Sequence, residues 1–150
     1  MKDYIHLTVA AIVEKDERFL MVEEHSSKLG KNVFNQPAGH VENNEAIFDA
    51  VIRETLEETA WLVKPLNIIG IYQSFTDGNK ENTQYLRICF ACEAIKQTEN
   101  SIDPDITQAL WLSASEIQAL SNARSPMVKQ CLSDYLSGRS YPLDMLNALD

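Results

Sequence analysis

The chain has 150 residues, a formal net charge of −9 and 45% hydrophobic residues. That length fits one folded domain over residues 1–150 with a sizeable core, and the apolar content is ordinary for a globular protein. The acidity argues against a duplex nucleic-acid partner, which needs clustered Lys and Arg, and no apolar run is long enough to span a membrane.

The first nine residues, MKDYIHLTV, lack the charged-then-apolar layout of a signal peptide, so a cytoplasmic protein is expected. Ile5 to Glu14 is β-branched and apolar and reads as a buried strand. Asp16-Glu17 is a short polar break. Arg18 to Glu24 alternates and reads as the hairpin partner. His25 to Asn32 is polar and reads as a loop. Val33 to His40 is extended, because Pro37 biases Gln36 away from helix; Ala38 and Gly39 let the backbone approach a ligand closely.

A helix is predicted over Ile47 to Thr59, with Asn43 or Asn44 as its cap. At 100° per residue from Phe48, the residues Val51, Ile52, Thr55 and Thr59 fall within about 60° of it. Glu54, Glu57 and Glu58 fall between roughly 180° and 280°, on the opposite side. The helix therefore packs one face on a core and presents three carboxylates on the other.

Leu62 to Tyr72 reads as a strand bent at Pro65. Phe75 to Thr83, with Asp77-Gly78-Asn79, reads as a turn or loop. Tyr85 to Ala94 is a strand. Cys89 and Cys92 lie three apart in it and so point to opposite faces. With Cys131 they make three cysteines, an odd number that argues against a disulfide framework, and they read as small buried residues. Ala109 to Leu112 is a short strand. Ser113-x-x-Glu116 is a capping box that opens a helix to about Leu120. Ser125-Pro126 opens another over Met127 to Leu136, with Gly138 placed to close it. The tally is a mixed sheet with helices on both sides: an α/β (α+β) fold, one α/β/α sandwich.

The acidic face carries the chemistry. Glu54–Glu57 and Glu54–Glu58 are like-charge pairs at i,i+3 and i,i+4, and Arg53 relieves them only in part. A divalent cation reverses the sign of that problem, and hard carboxylate oxygens suit Mg²⁺ or Mn²⁺. A bare E-x-x-E-E on a helix is usually no more than a solvated face. Here it belongs to a longer pattern, G-x5-E-x7-R-E-x2-E-E, filled by Gly39, Glu45, Arg53, Glu54, Glu57 and Glu58. That pattern resembles the box of the Nudix hydrolase family. The resemblance implies a loop–helix–loop that holds Mg²⁺ against a diphosphate, and it implies that Glu45 pairs with Arg53 to fix the loop on the helix. The family has Gly two residues after the Glu pair, where this chain has Ala60. A left-handed Ala there would cost on the order of 1 kcal/mol, which leaves the helix exit open.

Further stretches resemble the NudJ-type phosphatases of that family: TVAAIV (Thr8 to Val13), FNQPAGHVE (Phe34 to Glu42), RSPMV (Arg124 to Val128) and SGRSYPLDM (Ser137 to Met145). This resemblance implies a Mg²⁺-dependent phosphohydrolase of nucleoside di- and triphosphates and of hydroxymethylpyrimidine pyrophosphate. It also implies release of orthophosphate, one phosphate at a time. The metal ligands expected are Glu57, Glu58 and Glu54, with the Ala38 carbonyl as a further ligand. Glu54 is alternatively the base that orients the attacking water, and Arg53 completes the catalytic set. Asp103 and Asp105 are alternative bases, against which stands ordinary turn chemistry beside Pro104. For the substrate's organic part the candidates are Phe34, Gln36, His40 and Arg87, with Tyr72, Phe75 and Tyr85 as further rings. The alternatives are an RNA 5′-end pyrophosphohydrolase, which the negative charge disfavours, and a nucleotide sensor without activity. The partner expected is a small pyrophosphorylated molecule, and the chain is expected as monomer or homodimer.

Overall fold

The computed structural model describes residues 4–75 and 83–149. In chain order it has strands β1 (Tyr4–Lys15), β2 (Arg18–Ser26), β3 (Lys31–Asn35) and β4 (Ala38–His40), then helix α1 (Ile47–Thr59). Strands β5 (Trp61–Phe75), β6 (Thr83–Gln97) and β7 (Ile106–Ser113) follow, then helices α2 (Ala114–Gln118) and α3 (Pro126–Leu136) and a 3₁₀ turn, Leu143–Met145.

The strands form one mixed sheet in the order β3-β2-β1-β6-β5, with β4 also paired to β1 and β7 to β2. β1 and β6 run parallel, and the other pairs are antiparallel. Most of β1 pairs with β4 and β6, and only its end, Glu14 and Lys15, pairs with β2. The sheet therefore splits along β1, and the β3–β4 connection crosses the split. Ala11 N–H donates to the Pro37 carbonyl there, at 3.0 Å.

Period-2 alternation builds a core on each face. Val9, Ala11 and Val13 of β1 with Ile88, Phe90 and Cys92 of β6 face α1. Ala10 and Ile12 with Cys89 and Ala91 face α2 and α3, where Val128, Cys131 and Leu132 meet them. The two strand cysteines thus lie on opposite faces, as their spacing predicts, and all three cysteines are free and buried. The layers are helix, sheet and helix, the expected fold class.

Local signals explain the shorter elements. Ser113 and Glu116 exchange both bonds of the capping box. The Ser125 hydroxyl accepts from Met127 N–H, Pro126 opens α3, and Gly138 follows at φ +88°. β5 shifts register between Pro65 and Asn67, where the expected bend lies. Some bounds differ from expectation. β7 begins at Ile106 rather than Ala109, because its pairing with β2 runs on to Glu24. The residue before α1 is Ala46, without a side-chain cap, so neither Asn43 nor Asn44 caps the helix. Asn44 instead takes φ 61°, a left-handed turn that Asn tolerates, and the loop is closed by Glu45. The turn expected at Asp77-Gly78-Asn79 lies outside the described residues.

Candidate active site

α1 ends where a family glycine would end it. Ala60 takes φ 64°, ψ 13°, and its N–H returns to Leu56 O. The chain thus makes the left-handed exit with an alanine, at a cost of order 1 kcal/mol.

The carboxylate face is not simply turned away from the core, as the helical projection suggests. Val51, Thr55 and Thr59 pack on the sheet side, but Ala50 and Glu58 are buried as well. The cover is β4. Ala38 N–H donates to Glu58 Oε1 at 2.9 Å. Glu54 lies so close under Gly39 that a Cβ there would collide with its carboxylate. Gly39 is therefore required by close approach rather than by φ. Only Glu57 is open, with half of its side chain exposed.

Arg53 ties this arrangement together. Its Nε donates to Glu45 Oε2 at 2.6 Å and its Nη2 to Glu45 Oε1 at 2.9 Å. Nη1 reaches Glu54 at 2.9 Å and Glu57 at 3.1 Å, and Nη2 also donates to the His40 carbonyl at 3.0 Å. The bidentate bond from Arg53 holds the Glu45 carboxyl down at about 2. Glu45 in turn accepts from Glu42 N–H at 2.9 Å, so one guanidinium clamps the loop, the end of β4 and the acidic face.

Glu58 has no such partner. Among the described residues it makes no ion pair, and it is 9% exposed. Burial, with the Glu24, Glu54 and Asp103 carboxylates nearby, pushes its pKa up to about 8; the Ala38 N–H bond opposes only part of that. Glu54 is also raised, first by burial, against the pull of Arg53. Fully ionised, the face would carry more negative charge than Arg53 balances. Its hard oxygen donors fit a divalent ion such as Mg²⁺, which takes a few carboxylates and completes its shell with water and phosphate. Among the described residues no three His, Cys, Asp or Glu side chains stand close enough together to hold a metal ion as they are placed.

Asp103 comes near α1 through its N–H, which donates to Glu57 O at 2.8 Å. Its carboxylate accepts from Asp105 N–H at 2.9 Å, the turn chemistry expected beside Pro104. The candidates for the organic part separate. His40 is exposed at the end of β4, and Phe34 is half-buried on β3. Gln36 and Arg87, expected against the substrate, are instead 1% and 5% exposed. Arg87 donates to Gln36 Oε1 and to Asn35 Oδ1, both at 3.0 Å, and Gln36 donates to Val128 O at 2.7 Å. An extended segment leading to the loop invites an open reading, but the crossing between half-sheets needs buried polar support. Tyr72 is likewise occupied, donating to Asp134 at 2.7 Å. His6 escaped the sequence reading. Its Nδ1 lies 2.8 Å from His40 Nε2, and its place in a mostly apolar strand was the available signal.

A NUDIX domain family model matches residues 5–131. Phosphatase NudJ of Escherichia coli K12 is 41% identical over 143 residues, covering 94% of this chain and 90% of that protein. A Nudix hydrolase structure from Nitrosomonas europaea is 38% identical, covers 97% of this chain and 98% of its own, and superposes with a TM-score of 0.91. A MutT protein from Methanosarcina mazei shares the fold at 17% identity and a TM-score of 0.74, over 93% of this chain and 99% of its own.

Proposed function

From the premise that this chain belongs to the Nudix hydrolase family, we propose that it is a Mg²⁺-dependent phosphohydrolase of small pyrophosphorylated metabolites. The proposed substrates are nucleoside di- and triphosphates and hydroxymethylpyrimidine pyrophosphate, cleaved with release of orthophosphate. Similarity to a NudJ phosphatase over most of both chains supports a phosphatase activity.

The observation that carries the metal assignment is Glu58: a buried carboxylate with no cationic partner among the described residues, facing further carboxylates. Glu54, Glu57, Glu58 and the Ala38 carbonyl would hold the ion. A bound divalent ion supplies charge neutralisation on the phosphoryl oxygens and a more acidic water. The protein's own groups do the positioning. Arg53 fixes Glu54 and Glu57 relative to Glu45 and to the end of β4. Ala38 N–H fixes the rotamer of Glu58. Glu54, partly desolvated and raised, is suited to take a proton from an attacking water or to orient it. His40 and Phe34 are the proposed contacts to the substrate beyond its phosphates. Gln36 and Arg87 are proposed to act by bracing the Asn35–Ala38 crossing. Mn²⁺ is proposed as a substitute ion.

The test is a panel of candidate substrates assayed with Mg²⁺, with Mn²⁺ and with EDTA, reading orthophosphate and pyrophosphate separately. Turnover that needs the metal and yields orthophosphate supports the reading. Equal turnover in EDTA overturns it.

A further inference from the structure

Two polar rings that the proposed chemistry leaves unused, His6 and Tyr85, gather with His40 at one end of β1, β4 and β6. The register sets His6 opposite Tyr85, and Thr8 opposite both Arg87 and His40. The four side chains of His6, Tyr85, His40 and Arg87 therefore belong to one face of the sheet, the face turned away from α1. The His6 ring stacks on Tyr85 with centroids 4.8 Å apart and planes 21° apart. It meets the His40 ring edge-on at 5.0 Å, with the two nitrogens 2.8 Å apart. His6 and Tyr85 are half-buried and His40 is exposed, so the group stands at the surface.

Two arginines lie at this end of the sheet. Arg87, two residues behind Tyr85 on β6, is bonded to neutral amides, and its Nε has no hydrogen-bond partner among the described residues. Arg124 flanks the same end. Its backbone N–H donates to Phe34 O at 2.8 Å, and its Nη1 pairs with the Glu24 carboxylate at 2.8 Å. Half-exposed, stacked aromatic rings suit a planar heteroaromatic ring. The spacing suits one too. His40 and Ala38 project to the same side of β4, about 6.6 Å apart along the strand. Ala38 is the residue bonded to Glu58.

We propose that His6, Tyr85 and His40, flanked by Arg124, form the seat for the nitrogen-heteroaromatic ring of the substrate, one linker away from its diphosphate. This assigns His6 and Tyr85 to ligand recognition and rests on the reading of the acidic face as the phosphate end. Ring stacking gives the affinity.

The test separates the ring from the phosphates by direct binding. Uridine 5′-monophosphate and ribose 5-phosphate are each titrated into the full chain by calorimetry in Mg²⁺. The imidazole resonances of His6 and His40 are followed by NMR in parallel. The wild type is expected to prefer the nucleotide by about tenfold, the contribution of one stacked ring, with both imidazoles shifted only by the nucleotide. His6→Ala and Tyr85→Leu are each expected to bring the preference near unity, whereas His6→Phe, which keeps a ring on Tyr85, retains it. Circular dichroism melting identifies a variant that fails to fold, and the other then carries the result. A wild type without preference, or a preference unchanged in the folded Ala and Leu variants, overturns the proposal. If the preference is present but no substrate is hydrolysed with Mg²⁺, the seat stands and the phosphohydrolase reading falls.

Discussion

Replacing Glu58 by Gln should stabilise the metal-free protein while abolishing its turnover. The carboxylate is buried, accepts one bond from Ala38 N–H and faces Glu24, Glu54 and Asp103. Its pKa in the fold is about 8, against an ordinary value of 4.5. A raised folded value means that the fold prefers the protonated form. The associated stability is complete below the unfolded value and is lost as pH rises through about 8. One unit corresponds to ~1.36 kcal/mol, so the rise sets a ceiling of about 5 kcal/mol on what ionisation costs the metal-free fold. Water entry and loop relaxation reduce this to an expected cost of order 2 kcal/mol. Gln keeps the acceptor for Ala38 N–H and carries no charge at any pH. In EDTA at about pH 9 the variant should therefore melt roughly 4–8 °C above wild type, and at about pH 5 the two should coincide. Saturating Mg²⁺ should erase the gain at high pH, because only the wild type recovers energy by binding. Differential scanning calorimetry in the four conditions measures this. A variant less stable than wild type in EDTA at both pH values would refute the argument, since the buried charge would then be no burden for a cation to relieve.

Ala60→Gly relieves a left-handed alanine and should raise stability by about 0.5–1 kcal/mol, read as a small rise in Tm; a loss would contradict the observed exit of α1. Gly39→Ala drives a methyl group into the Glu54 carboxylate and should lower kcat/KM at least tenfold while costing about 1–3 kcal/mol, checked by kinetics beside urea unfolding. Glu45→Gln removes the main partner of Arg53. Because the Glu45 pKa is depressed to about 2, the deficit in Tm should be full above the ordinary carboxylate value of 4.5 and shrink as pH falls towards 2. A deficit that does not vary with pH would rule out the ion pair as its source.

The sequence made α1 legible because three independent signals coincided there: the 3.6-residue stripe, the like-charge cluster and the fixed spacing from Gly39 to Glu58. Its bounds, Ile47 and Thr59, are those observed. The faces of β1 and β6 were legible for a similar reason, since period-2 alternation allows few registers. The depth of the acidic face was not. A helical projection knows only the helix, and Glu58 is buried by β4, which arrives from across the split sheet. The inward turn of Gln36 and Arg87 was hidden likewise, because it depends on Val128 of α3, distant in the chain. Asn44 was misjudged as a cap because Asn serves both caps and left-handed turns, and only the bond from Glu42 N–H to Glu45 settles which. The His6–His40 contact follows from a strand register that no local pattern encodes.

The measurement closest to the central claim is a time course of nucleoside triphosphate hydrolysis in Mg²⁺, resolved by ion-exchange chromatography. Which phosphorus is attacked depends on how the organic group is held relative to the ion, and a displacement of about one phosphate unit changes the product. The account predicts orthophosphate from the first time point, with the diphosphate rising and then decaying to monophosphate. Pyrophosphate as the sole initial product, with no diphosphate at any time, would contradict it.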